Sequence, residues 1–261
     1  LQTNEAARAG RVPLNMAFLT LLNGPKMFYH FAELGFDNSK WQNAEGKWGK
    51  NEYNIPSELG ADYDTLAQKK LFWAVTRHKV QITRLPTLGE TITVETWPMP
   101  TARTYYPRST VAYDADGNEL FRSIGMWVLM DASSRAMILP GKSGVEVSGT
   151  LRGTELTTPL AIAIKAMEQT MERTVLFSDV DRNGHMNNTR YLDWAMDLLP
   201  STFHEGRVLR EMTICYMTEC REGQTLSLGW NMTAEGLFQV DGNRDGERIF
   251  SVLMQFEDSV L

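Results

Sequence analysis

Residues 179–200 read DVDRNGHMNNTRYLDWAMDLLP and combine a polar turn with a helix signal. The apolar residues in the second part of this stretch recur at helical spacing and form one stripe, which comprises Tyr191, Leu192, Ala195, Met196, Leu198 and Leu199. Asn187 or Asn188 can cap the start of the helix, and Pro200 ends it. The stretch therefore predicts an amphipathic helix that begins directly after a turn rich in Asp and Asn.

Strands are predicted on both sides of this helix. After it, the pattern indicates strands at 212–219, 225–230, 237–240 and 248–256. In the first half of the chain, strands are predicted at 79–83, 90–97, 104–113 and 120–130. The turn from Asp114 to Asn118 joins the last two as a hairpin, since Asp, Gly and Asn tolerate the positive φ angles of such turns. Helices and antiparallel strands together predict the α+β class.

A second amphipathic helix is predicted near the beginning of the chain. Leu14, Phe18 and Leu21 mark its apolar face, and the helix continues to residue 34 with an interruption at Gly24-Pro25. Residues 37–62 are rich in polar residues and Gly, which is typical of an inserted loop. Each half of the chain therefore contains a helix followed by strands.

Two local similarities indicate that this order arose by duplication. Gly10 and Gly184 both precede an amphipathic helix at an offset of 174 residues, while Gly89 and Gly223 lie in similar segments at an offset of 134. The inserted loop accounts for the difference between the offsets. Loss of periodicity near 140–160 indicates a linker. We predict a first domain over 1–140, a linker over 141–162 and a second domain over 163–261.

Composition narrows the classes of function. The chain of 261 residues has 26 Lys and Arg against 32 Asp and Glu, and its net charge of −6 does not favour nucleic acid. Two cysteines are too few for a disulfide framework and match no common zinc spacing, so neither a structural metal nor an oxidising compartment is expected. No apolar run is long enough for a membrane-spanning helix. These features favour a cytoplasmic protein without a membrane span.

Asp181, Asn183 and His185 are the candidate chemical residues of the polar turn. In an extended segment their spacing would place all three side chains on one face. A carboxylate, an amide and an imidazole could then transfer protons, and the amides at the start of the following helix could stabilise an oxyanion. The alternative is an ordinary helix-capping turn. The paired positions Ala7, Ala9 and Arg11 favour chemistry, because turn formation alone gives no reason for only one copy to be polar throughout.

The run DVDRNGHMNNTRYLDW at 179–194, followed by YMTEC at 216–220, resembles the acyl-acyl-carrier-protein thioesterases of plants and bacteria. The signature of that family is Asp-x-Asn-x-His before Asn-Asn, with a later Glu-Cys. The segments VTRHKVQITRLPTLGETITVETW at 75–97 and MWVLMDASSRAMILP at 126–140 extend the resemblance. It implies two tandem hotdog domains, each a long helix wrapped by an antiparallel β-sheet. The first domain would bind the acyl chain and the second would carry catalysis.

The resemblance also implies an activity and a set of residues. The expected reaction is hydrolysis of fatty acyl thioesters on acyl carrier protein to free fatty acid and carrier thiol, which ends chain elongation in fatty acid biosynthesis and needs no cofactor. The family's functional positions fall on Asp181, Asn183, His185 and Glu219. Met217 and Thr218 replace basic residues that the family usually has before Glu-Cys. The alternatives are an acyl-CoA thioesterase and a non-catalytic acyl-binding hotdog module. A homodimer is an open expectation.

Cys220 and the basic residues each have two interpretations. Cys220 is an older nucleophile candidate in the family, but a lone buried Cys is usually a small apolar filler. Adjacent strand residues point to opposite faces, so only one of Glu219 and Cys220 should reach the pocket, and we favour Glu219. An acidic carrier protein would require a local basic surface. Candidates for that surface, which could equally be ordinary solvated charges, are Arg77, His78, Lys79, Arg84, Arg103 and Arg108.

Overall fold

The computed structural model describes residues 63–258 apart from residues 88, 182, 183 and 234. The predicted helix over 14–34, the inserted loop over 37–62 and the proposed equivalence of Gly10 with Gly184 therefore lie outside the part of the chain described below.

A helix and five strands make up the described part of the first half. They are α1 (Tyr63–Gln68), β1 (Leu71–Ile82), β2 (Thr93–Pro98), β3 (Tyr106–Tyr113), β4 (Glu119–Asp131) and β5 (Met137–Ile138), followed by the short helix α2 (Pro140–Ser143). The predicted hairpin turn between β3 and β4 is confirmed, because Asp114 N–H donates to Asn118 O at 2.9 Å and Gly117 has φ +83°. The strand predicted at 79–83 is the end of a longer strand that begins at Leu71.

The second half contains five strands and two α-helices among the residues described. They are β6 (Gln169–Thr174), a 3₁₀ turn (Phe177–Asp179), α3 (Arg190–Met196), α4 (Ser201–Glu205), β7 (Arg207–Tyr216), β8 (Thr225–Met232), β9 (Leu237–Arg244) and β10 (Glu247–Asp258). The predicted helix ends earlier than expected, because Leu198 and Leu199 N–H bond three residues back instead of four, directly before Pro200. The prediction that a strand reaches Glu219 is wrong, since β7 stops at Tyr216.

All strands join one antiparallel sheet in the order β2-β3-β4-β1-β7-β10-β9-β8-β6, with β5 attached to β4. Each half of this order is a mirrored copy of the other, with β1, β2, β3 and β4 corresponding to β7, β8, β9 and β10. The halves meet where β1 pairs with β7. The duplication predicted from the sequence is therefore visible in the strand order.

The turns that precede β2 and β8 repeat the same local structure. Gly89 and Gly223, paired by the 134-residue offset, have φ angles of +83° and +81°, which favour glycine. In the first turn Thr87 N–H donates to Glu90 Oε2 at 2.7 Å. At the equivalent positions Arg221 N–H donates to Gln224 Oε1 at 2.8 Å. The sequence similarity around the two glycines thus reflects one conserved turn geometry.

The main core lies between α3 and the second half-sheet. Helix α3 inserts five buried side chains into it, namely Tyr191, Leu192, Trp194, Ala195 and Met196. They pack on alternate residues of β7 to β10, such as Met212, Ile214, Val240 and Val252. We call this the inner face of the sheet. The inner face continues into the first half of the sheet, because Val80 of β1 pairs with Met212 and so lies on the same face.

Residues 144–168, which we call the crossing segment, contain no helix or strand and run over the opposite, outer face. Side chains from six strands, taken in their order across the sheet, donate to successive carbonyl groups of this segment: Arg122 to Thr154, Arg77 to Pro159, Cys215 to Leu160, Arg248 to Ile162, Gln239 to Ala163 and Asn231 to Ala166. The crossing segment therefore ties the two half-sheets together in addition to the β1–β7 ladder.

Candidate active site

The polar turn predicted to carry chemistry is a tight loop and not an extended segment. Asp181 N–H donates to His185 O at 2.8 Å, and Gly184 N–H donates to Asp181 O at 3.0 Å. Gly184 has φ +78°, and Val180 and Met186 form an antiparallel bridge just outside the turn. The extended geometry predicted from the spacing is wrong. Asp181 and His185 are nevertheless neighbours, because the backbone hydrogen bond places them opposite each other. Asn183 falls in a gap of the described chain.

A second backbone contact brings Glu219 to this turn. Met186 N–H donates to Cys220 O at 2.7 Å, so the residues on either side of that bond, His185 and Glu219, are adjacent. The His185 Nε2 and Glu219 Oε2 atoms lie 3.1 Å apart, at ion-pair distance but without hydrogen-bond alignment. The His185 side chain is 18% exposed and the Glu219 side chain 40% exposed. A small molecule can therefore reach the carboxylate.

Asn187 organises the start of the helix that follows. Its Oδ1 atom accepts hydrogen bonds from both the N–H and the hydroxyl of Thr189, at 2.9 Å each. The amides of Asn187, Thr189 and Arg190 are all bonded to acceptors within the chain. Because α3 has only seven residues and these donors are occupied, the geometry gives no support to the predicted oxyanion site at the helix start. The predicted cap is also displaced, since the N-cap residue is Thr189 and not Asn187 or Asn188, and Asn187 acts by accepting hydrogen bonds from Thr189.

The surroundings of His185 favour its neutral form. Burial lowers the pKa of His185 below its ordinary value, and the charges of Arg221 and Arg135 lower it further, whereas Asp181 raises it. A lowered pKa leaves the imidazole uncharged at neutral pH, and a neutral imidazole can accept a proton. The cluster thus contains a proton acceptor in His185 and accessible carboxylate oxygens in Glu219.

Arg135 belongs to this cluster and was not found by sequence reasoning. It lies in the turn between β4 and β5, and its Nη2 atom contacts Glu219 Oε2. The two residues are 84 positions apart and belong to different halves of the chain. No spacing signal could have paired them, because the contact depends on how the two half-sheets join.

Cys220 and Glu219 point in opposite directions, as predicted, although they lie in a loop and not in a strand. Cys220 is fully buried in the main core, and burial raises the pKa of its thiol above the ordinary value. A buried, protonated thiol is a poor nucleophile. The Arg244 guanidinium donates to Cys220 Sγ at 3.8 Å, so the thiol is a buried core group with one polar contact, and its burial argues against a role as nucleophile.

Most of the predicted basic surface is engaged within the fold. Arg77 donates to the crossing segment, Lys79 pairs with Glu211 at 2.8 Å, and Arg84 pairs with Asp114 at 3.0 Å. His78 faces inward from the middle of β1, next to Ile214 in register. These charges do not form a group that surrounds the polar turn.

Comparison with known proteins places the two halves in one family. The family model for the N-terminal domain of acyl-ACP thioesterases matches residues 53–139, and the model for the C-terminal domain matches residues 163–258. A chloroplastic palmitoyl-acyl carrier protein thioesterase from Gossypium hirsutum is 27% identical over 173 residues, which cover 62% of this chain and 41% of that protein. The chain therefore spans less than half the length of this curated relative.

Solved structures support the same fold. An acyl-ACP thioesterase from Bacteroides thetaiotaomicron has a TM-score of 0.67 at 24% identity, covering 77% of this chain and 83% of that one. A 12:0-ACP thioesterase from Umbellularia californica has a TM-score of 0.66 at 20% identity, covering 79% and 85%. The predicted α+β class with two tandem hotdog units is confirmed. In the described part of the chain, no helix has the length and apolar character needed to span a membrane.

Proposed function

The chain belongs to the acyl-ACP thioesterase family, and on that premise we propose that it hydrolyses fatty acyl thioesters carried by acyl carrier protein. Water and the thioester would give free fatty acid and carrier thiol, which ends chain elongation. The observation that carries this proposal is the approach of His185 Nε2 to Glu219 Oε2 at 3.1 Å beside Asp181. An acyl-binding module without activity would not require a partly buried imidazole next to an accessible carboxylate.

The proposed mechanism assigns the attack to water. Glu219 or neutral His185 accepts a proton from the water as its oxygen attacks the thioester carbonyl carbon. The tetrahedral intermediate then expels the thiolate, which takes that proton back from the same side chain to give the carrier thiol. Asp181 supports the protonated form of His185 through its negative charge, in agreement with its effect on the pKa. Asn183 would hold the geometry, as the family resemblance implies.

We assign acyl-chain binding to the first half, within the proposed domain of residues 1–140. One row of its inner face carries small or β-branched side chains, with Thr110, Ser123 and Val80 across β3, β4 and β1. This row continues into Met212 of the second half. An acyl chain lying on this face would extend from the first half toward Met212 in the main core of the second half.

We propose that the carrier protein docks on the basic residues around the polar turn and not on the basic residues that the sequence predicted in the strand regions. Arg221 and Arg135 both act electrostatically on His185, and Lys70 adjoins the turn that carries Arg135, because Ala132 N–H donates to Lys70 O at 2.8 Å. Positive charge next to a thioester site suits an acidic carrier protein. We further propose a cytoplasmic location, consistent with two free cysteines, and leave a homodimer as a prediction for analytical ultracentrifugation.

Hydrolysis assays with a panel of carrier-bound and CoA-bound acyl chains test the function directly. We expect kcat/KM to be higher for the carrier-bound series and to fall as salt is raised, because exposed charges are screened over about 8–10 Å at moderate ionic strength. Lys70→Glu should imitate high salt, lowering kcat/KM about threefold to tenfold. Lys79→Glu is the matched control, since Lys79 is held by Glu211 away from the turn.

The assay also separates the alternatives. Equal rates and equal salt sensitivity for the two carriers would favour an acyl-CoA thioesterase. An effect of Lys79→Glu without one of Lys70→Glu would move docking to the strand charges. Tight binding of acyl chains with no hydrolysis would make the protein a binding module.

A further inference from the structure

In the described part of the chain, the first half contacts the candidate active site through the side chain of Arg135. We propose that Arg135 is a positioning residue of the hydrolytic site, where it orients the Glu219 carboxylate against His185. This inference rests on the proposed hydrolase function. It adds a role in catalysis for a cation of the first half, which lacks the catalytic candidates.

The turn between β4 and β5 presents Arg135 in a fixed direction. Oδ1 of Asp131 accepts hydrogen bonds from Ser133 N–H at 2.9 Å, from Ser134 N–H at 2.7 Å and from the Ser134 hydroxyl at 2.9 Å. Arg135 N–H donates to Asp131 O at 2.9 Å, and the residue has φ +58°. Because a side-chain cap and a backbone bond both close this turn, the Cα–Cβ vector of Arg135 has little freedom.

The guanidinium of Arg135 is itself positioned by two contacts, one with the Phe72 ring and one with Glu219. Its central carbon lies 4.8 Å from the ring centroid of Phe72, within cation–π range. Beyond the ring, Nη2 contacts Glu219 Oε2, the same oxygen that lies 3.1 Å from His185 Nε2. In the described part of the chain Oε1 of Glu219 has no hydrogen-bond partner. Arg135 therefore fixes one carboxylate oxygen beside the imidazole and leaves the other available to a water molecule.

The competing explanation is a surface ion pair without a role in the reaction. Both side chains are about two-fifths exposed, and an exposed pair contributes only about 0–1 kcal/mol to stability. The two explanations differ because Glu219 Oε2 contacts Arg135 and also lies beside His185 Nε2, which a surface ion pair without a role would not require. Among the described residues, the charged groups that face His185 are Asp181, Glu219, Arg221 and Arg135. Removing Arg135 deletes one of the two cations in this described set, so the His185 pKa should rise toward its ordinary value.

The test compares Arg135→Gln, Arg135→Lys and Arg152→Gln in the full chain with a small acyl thioester, for which the charges of the carrier-docking surface should not affect KM. Arg152 of the crossing segment is a matched control that packs on the first half, because its guanidinium lies 4.2 Å from the Trp97 ring and pairs with Glu95. For Arg135→Gln we expect kcat to fall about tenfold or more with KM little changed, as loss of positioning predicts. The acid limb of the pH profile should move to higher pH. Arg135→Lys should keep the wild-type acid limb and recover part of kcat, and Arg152→Gln should behave as wild type.

A second readout is independent of turnover. NMR titration of the His185 imidazole should give a higher pKa in Arg135→Gln than in wild type, and an unchanged pKa in Arg152→Gln. Wild-type kcat, pH profile and titration in folded Arg135→Gln, alongside an inactive His185→Ala, would overturn the role of Arg135 and leave the hydrolase function standing. Absence of thioester hydrolysis by the wild type would overturn both.

Discussion

The two halves of the molecule have the same strand order and the same turn before their second strand, but only one of them carries the catalytic candidates. The 134-residue offset that pairs Gly89 with Gly223 places Leu85 and Pro86 opposite Glu219 and Cys220. Leu85 is 44% exposed, as Glu219 is 40% exposed, so the position is accessible in both copies. The two halves therefore differ in the side chains at equivalent loop positions, whereas the strands and turns around those positions are the same in both.

The largest expected effect concerns the residues found only in the second half. His185→Ala, Asp181→Ala and Glu219→Gln should each lower kcat by about 10²-fold or more, as loss of a positioned acid or base does. Leu85→Ala, at the position equivalent to Glu219, should leave kcat unchanged. Steady-state assays on folded variants measure this contrast. Near-normal turnover in His185→Ala would remove the asymmetry on which the assignment rests.

His78 of the first half lies in the middle of a strand, whereas His185 of the second half lies in a turn, and the position of His78 predicts an effect of acid on stability. Burial in the strand lowers the pKa of His78 to about 4 from 6.5. Between pH 6.5 and 4 the unfolded chain binds more protons at this residue than the folded chain, so the free energy of unfolding falls as pH falls through that window. The loss should reach as much as about 3 kcal/mol.

Urea unfolding at pH 7 and pH 4.5 measures this loss. His78→Gln should show a smaller difference between the two pH values than wild type, whereas His204→Gln in α4 should keep the wild-type difference. An equal loss in wild type and His78→Gln would show that His78 titrates normally in the folded protein.

Chain-length preference should respond to the inner face of the first half and not to the outer face. Ser123 and Ser109 are both buried, 6% and 1% exposed, on adjacent strands but opposite faces. Ser123→Leu should lower kcat/KM for long acyl chains relative to short ones by roughly tenfold, because added methylene groups in a pocket discriminate by about that factor. Ser109→Leu is the control. A competition assay with mixed chain lengths reads the ratio, and equal ratios in both variants would argue against acyl binding in this half.

The smallest effect should come from Cys220. Cys220→Ala should retain kcat within about threefold and lose about 1 kcal/mol of stability, as removal of a small buried side chain does. Thermal unfolding and thioester assays on the same preparation measure both. Loss of activity in a variant of normal stability would restore the thiol as a nucleophile candidate.

Sequence reasoning located the strands, the hairpin turn and the duplicated glycines because each has a local signal. It missed the beginnings of β1 and β7, the end of β9 and the whole of β5 and β6, where the alternation of apolar and polar residues is weak. Asp181 and His185 were paired correctly for a wrong reason, since the spacing suggested an extended segment and the structure has a closed turn. The contact of Arg135 with Glu219 lay out of reach, because it arises only where the half-sheets meet.

The crossing segment has a consequence for how such a duplicated protein can change. From Thr154 to Ala166 the chain advances twelve residues while crossing five gaps between strands. Those gaps total about 24 Å at about 4.8 Å each, and twelve extended residues reach about 40 Å. The segment is thus longer than the sheet is wide, and each of the six hydrogen-bonded carbonyl groups is matched to one strand. Losing two residues would still allow it to span the sheet, but the carbonyls would meet the wrong strands. A change in the length of this segment is therefore limited by the register of its hydrogen bonds and not by the width of the sheet.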